Sequence, residues 1–184
     1  MTEHNSKTKP ITLLFDLETT PITARNKEIH CLVTMDYETG EITRYNDTGM
    51  TDPIVRGVQY LEAADTIIGH NIIGFDLPVI KHIYPFFEPK GVIVDTLILS
   101  RLYHADMLNT DRNAQHTGMP TKLYGRHSLE SYGYRLGEYK GNFGETSDWL
   151  KWSQEMEDYC EQDVIVTNKP VSYTHLTLPT TYHV

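Results

Sequence analysis

Asp16 and Glu18 stand two residues apart in LLFDLETT, Asp76 closes HNIIGFD, and Tyr159 and Asp163 are four residues apart in DYCEQD. Carboxylate oxygens suit hard divalent cations such as Mg2+ and Mn2+. Two such ions about 3.5–4 Å apart can clamp both the attacking and the leaving oxygen of a phosphodiester. Each motif alone carries little. The ordered set of four acids describes a site for two divalent ions that cut a phosphodiester bond.

On a strand, residues i and i+2 point to one face, so Asp16 and Glu18 are presented side by side. At about 4 Å, two like charges repel by roughly 4 kcal/mol at an effective dielectric near 20. A cation relieves that repulsion; the alternative is a solvated loop after the strand. Asp76 stands where a loop enters a helix, so it can serve as an N-cap, as a metal ligand, or as both. Asn71 can bond a substrate sugar or phosphate, or brace the loop, and Phe75 is expected in the core. Tyr159 and Asp163 share one helical face one turn apart. There the tyrosine hydroxyl can hold a water in line while Asp163 holds a metal; a plain amphipathic helix is the alternative.

These residues need a scaffold. Ile11–Phe15 is a continuous apolar run and reads as a buried strand with Asp16 at its end. Ile29–Met35 and Glu41–Tyr45 alternate about a turn at Glu38–Gly40, which predicts a hairpin. Pro53 starts a helix to Ala64, Thr66–Ile68 is a short strand ending at Gly69, and a helix follows from Leu77 to Tyr84. Val92–Val94 is another strand, and Asp95 caps the helix after it. Residues 105–127 are polar, lack clear periodicity and read as a long loop. Ser128 caps a short helix, and Gly137–Ser147 is a second polar stretch. A long helix is expected from about Ser153 to Lys169, with Met156, Cys160, Val164 and Thr167 on its packing face. Strands first, then strands alternating with helices, predict an α/β fold with a mixed sheet.

The 184 residues suit one domain with a real core. No apolar run approaches the ~20 residues that span a bilayer. The polar start, MTEHNSKTKP, has no signal-peptide core, so a cytoplasmic protein is expected. Cys31 and Cys160 lack zinc-ligand spacing and read as free thiols. His70, His82, His104, His116 and His127 are scattered without ligand spacing, which argues against a histidine-metal hydrolase. No motif supports serine or cysteine nucleophilic catalysis. The net charge of −9 argues against broad basic-patch binding to duplex DNA. A cation-binding acidic site is compatible with it. Lys122, Arg126, His127, Arg135 and Lys140 flank the polar stretches, and the 105–127 loop either lines a strand channel or is a solvated loop.

Asp-x-Glu, Asn-x-x-x-Phe-Asp and Tyr-x-x-x-Asp, in this order, resemble the three exonuclease motifs of the DEDD superfamily, and Tyr159 places the resemblance in its DEDDy branch. DTLILSRLYHAD, GRHSLESYGYRLGEYKG and WSQEMEDYCEQDVIVTNK resemble the N-terminal exonuclease domain of the replicative family A DNA polymerases of T-seven-like bacteriophages, over residues 11–169. The resemblance implies an RNase H-like fold, a central mixed sheet flanked by helices. It implies 3′–5′ removal of nucleotides from a single-stranded DNA end or primer–template, releasing 5′-mononucleotides, in the host cytoplasm if phage-encoded. By motif, Asp16, Glu18 and Asp163 would bind a first Mg2+ or Mn2+. Asp16 would bridge to a second ion, and Asp76 would hold that ion directly or through water. Tyr159 would orient the water, and Leu17 and Thr19 would contact the terminal nucleotide. A stand-alone DEDD exoribonuclease and an inactive polymerase fragment are the competing readings.

The ends depart from this pattern. Residues 1–10 read as a disordered tail. The final PVSYTHLTLPTTYHV holds no Asp, Glu, Lys or Arg and resembles translated sequencing-adaptor DNA. Residues 170–184 are therefore expected to be an artefactual, non-native tail begun by a helix-stopping Pro170. The polymerase domain is expected to be missing by truncation.

Overall fold

The computed structural model describes residues 9–21, 27–114, 118–138 and 148–177, with side chains as far as Lys169. Five strands form one sheet: β1 (Thr12–Thr19), β2 (Ile29–Asp36), β3 (Ile42–Tyr45), β4 (Thr66–Gly69) and β5 (Val92–Asp95). Their order is β3-β2-β1-β4-β5. β1 pairs antiparallel with β2, which pairs antiparallel with β3; β1–β4 and β4–β5 are parallel. The helices are α1 (Ile54–Ala63), α2 (Asp76–Ile83), α3 (Thr96–Tyr103), α4 (Met107–Ala114), α5 (Leu129–Leu136) and α6 (Gln154–Thr177), with a 3-10 turn at Thr121–Leu123. The expected mixed sheet with flanking helices is observed.

The period of two along β1 sorts its residues between two cores. Leu13, Phe15 and Leu17 pack with Val58 and Leu61 of α1 and Ile80 of α2. Leu14 points the other way, into a core with Cys31, Val33, Met156, Cys160 and Val164. Met156, Cys160 and Val164 recur every four residues, which makes the apolar stripe that seats α6 on the sheet. Thr167, at 1% exposure, extends that face. Burying a side chain of Leu or Met size is worth about 1.5–3 kcal/mol. Polar ties add direction. Arg44 on β3 donates from Nε to Glu161 Oε2 at 2.6 Å and from Nη1 to Asp158 Oδ1 at 2.8 Å. Asn46 donates from Nδ2 to the buried Glu157 at 2.8 Å.

The hairpin forms as its turn residues predict. Asp36 Oδ1 accepts the backbone N–H groups of Glu38 and Thr39, and Gly40 takes φ 74°. Four expectations need correction. β1 continues through Glu18 to Thr19, so Asp16 lies inside the strand. Residues 107–114 are a helix, not a loop; its buried positions are Met107 and Asp111, so it shows no apolar stripe. Phe75 occupies the N-cap of α2 without a side-chain bond, and Asp76 is the first helical residue. The backbone of α6 runs past Pro170 to Thr177, so the expected stop is not observed. A helical proline loses one hydrogen bond and crowds the preceding turn, at about 3 kcal/mol, which a helix already anchored by a packed stripe can absorb. Residues 1–8 of the expected 1–10 tail and most of the Gly137–Ser147 stretch lie outside the described residues.

Candidate active site

The alternation that buries Leu14 under α6 carries Asp16 and Glu18 to the same face of β1, one and two steps further along. There they meet Asp163 of α6. One carboxylate oxygen from each of Asp16, Glu18 and Asp163 lies within 4.8 Å of the other two. Asp16 and Glu18 are half-buried and Asp163 is 6% exposed. Three acids this close, with oxygen donors alone, fit a hard divalent cation and no soft one.

Asp76 completes the acidic wall of the same cleft, which has a volume of about 650 Å³ and is lined also by Leu17, Asn71, Phe75 and Tyr159. Only 3% of Asp76 is exposed. Burial pushes its carboxyl up to about 7, and the charges of Asp95 and Asp163 push the same way. Its own backbone N–H and that of Leu17 donate to it and pull in the opposite direction. The α2 carboxylate is thus tied to the strand segment between Asp16 and Glu18. This replaces the N-cap role that the sequence left open.

The loop before α2 is held by Asp95. Its carboxylate accepts the N–H groups of Asn71 and Ile73, each at 3.0 Å, while capping α3 through Leu97 N–H at 2.9 Å. Asn71 takes a left-handed φ of 64°, which Asn tolerates better than most residues. It is exposed on the cleft wall. Phe75 is half-buried and packs against the core while it lines the cleft.

Tyr159 reaches the cleft one turn before Asp163, as its spacing predicts. Trp149 meets it edge to face, with ring centroids 6.4 Å apart and planes at 82°. The Trp149 carbonyl accepts from His30 Nε2 on β2 at 3.1 Å, which fixes that segment. Thr19 does not join the cleft wall: it is buried, and its hydroxyl donates to the Thr20 carbonyl at 2.9 Å.

Of the basic residues flagged in the sequence, Arg126 and His127 line the cleft and Lys122 does not. Arg135 is structural. Its guanidinium makes two bonds to the fully buried Asp111, at 2.8 and 2.7 Å, and a third to the Arg126 carbonyl at 2.7 Å. Lys140 and His116 lie outside the described residues. Sequence reasoning missed Arg101, His70 and Trp149 on the cleft wall. Arg101 lies in the DTLILSRLYHAD string but was not singled out there, Trp149 belongs to no motif, and His70 was set aside for want of ligand spacing, though it sits one residue before Asn71. The buried Cys31 and Cys160 are free thiols, as expected. No helix among the described residues is long and apolar enough to cross a membrane.

No protein-family model matches the chain. It is 31% identical over 177 residues to the DNA-directed DNA polymerase of Enterobacteria phage T3, and 31% identical over 184 residues to that of Escherichia phage T7. Each alignment covers 84% of this chain and 25% of the polymerase. The chain therefore spans about a quarter of the length of these relatives. Among solved structures, Brucella melitensis NrnC with bound Mg2+ superposes with TM-score 0.59 at 18% identity, covering 91% of this chain and 73% of NrnC. The zinc-bound Escherichia coli ExoI–ssDNA complex gives 0.59 at 16%, covering 94% and 42%. Escherichia coli RNase D, an exoribonuclease, gives 0.56 at 17%, covering 90% and 38%. In sequence the chain is thus similar to a quarter-length segment of the T3 and T7 phage DNA polymerases, and it shares the fold of these three solved structures.

Proposed function

We propose that this chain is a metal-dependent 3′–5′ exonuclease of the DEDDy type that removes nucleotides from single-stranded DNA ends, as the proofreading module of a DNA polymerase. The observation that carries this reading is the Asp16–Glu18–Asp163 cluster, within 4.8 Å, in a cleft that also presents Asp76 and Tyr159. Relatedness to two phage DNA polymerases supports a DNA strand as substrate.

Asp16, Glu18 and Asp163 would hold one Mg2+ or Mn2+, and Asp16 with Asp76 a second. Bound there, the ions would lower the pKa of a nucleophilic water and stabilise the leaving 3′ oxygen. The remaining work belongs to the chain. Tyr159 presents its hydroxyl to the attacking water, with its ring held by Trp149. Leu17 and Phe75 offer apolar wall to the terminal nucleotide, and Asn71 a polar group for its sugar or phosphate. Arg101 and Arg126 balance the charge of the strand as it enters. The products are a 5′-mononucleotide and a strand shortened by one.

The test is degradation of a 5′-labelled single-stranded oligonucleotide, as DNA and as RNA, with Mg2+ or Mn2+ and with EDTA. Stepwise shortening of DNA from the 3′ end, abolished by EDTA and by Asp16→Ala with Glu18→Ala, is expected. Preference for RNA would move the substrate to the exoribonuclease reading. Metal-independent cleavage, or full activity in the double variant, would sink the mechanism.

A further inference from the structure

The cleft wall carries a hydrogen-bonded chain that the carboxylate chemistry leaves unused. His127 immediately precedes Ser128, the N-cap of α5, whose hydroxyl accepts from Ser131 N–H. That cap fixes the backbone from which the imidazole enters the cleft. His127 Nδ1 lies 2.6 Å from Ser100 Oγ on α3. Ser100 Oγ also bonds the Tyr132 hydroxyl on α5. Ser100 and Tyr132 are each 7% exposed, so water offers little substitute.

One proton order gives each of the three groups a partner within the chain. A buried phenol needs an acceptor, and Ser100 Oγ is the hydrogen-bond partner that Tyr132 meets. The Arg135 guanidinium, 5.1 Å above the Tyr132 ring, strengthens the phenol as a donor. In that order Tyr132 donates to Ser100 Oγ, and Ser100 gives its single proton to His127 Nδ1. A neutral imidazole with an accepting Nδ1 carries its proton on Nε2. Burial, then Arg135, Arg101 and His104, lower the His127 pKa against the opposing pull of Asp111, which favours the neutral ring.

We propose that His127 is a substrate-positioning residue: a neutral imidazole whose Nε2–H donates to a non-bridging phosphate oxygen of the bound strand, with Tyr132 and Ser100 setting the tautomer. The proposal rests on the exonuclease reading for the identity of the strand. A phosphate is favoured over a base because it is acceptor-only and repeats at every nucleotide, so a donor at a fixed place meets it whatever the sequence. Arg101 and Arg126 supply charge to the same wall, whereas a neutral, aimed donor supplies register.

Two-bond 15N–1H correlation spectra of the 15N-histidine-labelled protein in EDTA read the tautomer directly, with His127→Gln for assignment. A bare Nδ1 and protonated Nε2 at pH 7.5 are expected, with the Nε2 signal shifting on addition of millimolar tetrathymidylate. Steady-state degradation of single-stranded DNA should show KM raised about 5- to 10-fold in His127→Ala, the loss of one hydrogen bond, with kcat nearly unchanged. His127→Gln, which keeps an N–H near Nε2, should recover part of that loss. Ser100→Ala should mix the tautomers and raise KM. A protonated Nδ1, or an unchanged KM in His127→Ala, overturns the proposal, and so does a lowered melting temperature with KM intact. If the parent protein degrades no oligonucleotide, the exonuclease reading fails by itself; the tautomer and the tetrathymidylate shift then decide the phosphate-donor role alone.

Discussion

Replacing Asp76 by Asn should make the metal-free protein more stable above about pH 4.5, with the full gain at neutral to alkaline pH. Asp76 has an ordinary carboxyl value of 3.8 when the chain is unfolded and about 7 in the fold, chiefly because it is buried. Below pH 3.8 both states hold the proton and the group is neutral to folding. Between 3.8 and about 7 the unfolded chain ionises while the fold keeps its proton, so stability falls as pH rises. Above about 7 the whole difference, roughly 4 kcal/mol, opposes folding. Asparagine cannot ionise, so this penalty disappears. Its one carbonyl oxygen serves the Asp76 and Leu17 amides less well than two carboxylate oxygens, at a cost of about 1 kcal/mol. The net gain at pH 8.5 is about 3 kcal/mol, or roughly 6–12 °C in melting temperature for a chain of this size. Near pH 4.5 the two effects cancel. Calorimetry or circular dichroism melts in EDTA at pH 4.5 and 8.5 measure this difference. A variant less stable than the parent at pH 8.5, or equally shifted at both pH values, would refute the argument that Asp76 is held against its own charge.

The same electrostatics predict that Mg2+ at a hundredfold excess over Kd stabilises the parent by about 2.7 kcal/mol, read as a raised melting temperature, and that Asp163→Asn loses most of this gain. Tyr159→Phe should keep KM for single-stranded DNA and lower kcat by roughly 10²-fold or more, read in steady-state assays. Arg135→Ala should cost about 3–5 kcal/mol in urea unfolding, because it leaves the Asp111 carboxylate buried without its ion pair. Arg126→Ala should raise KM at low salt and lose the effect at high salt, whereas Lys122→Ala should leave KM unchanged.

Much of the site was legible because it obeys short periods. Side chains alternate in direction along a strand, and that period alone places Asp16 and Glu18 on the face opposite Leu13, Phe15 and Leu17. Tyr159 and Asp163 ride one helical turn, beside the stripe of Met156, Cys160 and Val164. What was illegible depends on distant partners. α4 hid because its inward residues are Met107 and Asp111, an apolar side chain and an acid, so no stripe marks it. Arg135 looked like a free cation until Asp111, on another helix, came beside it. Trp149 acquires its place only through His30 on β2 and the ring of Tyr159. Asp76 looked like a cap because N-cap and first-turn positions share one sequence signature. Its actual bond to the Leu17 amide crosses from one element to another.

The seat of α6 on the sheet also governs when the acidic cluster can exist. Asp16 and Glu18 are fixed on the first strand, and their third partner sits on the last helix, nearly 150 residues later along the chain. During synthesis the early portion presents Asp16, Glu18 and Asp76 without Asp163, so it lacks the complete ligand set. Closing so long a loop is entropically slow compared with local contacts. Nuclease competence would therefore arrive late, after the strands have ordered, and a nascent chain would emerge without the means to cut a strand beside it.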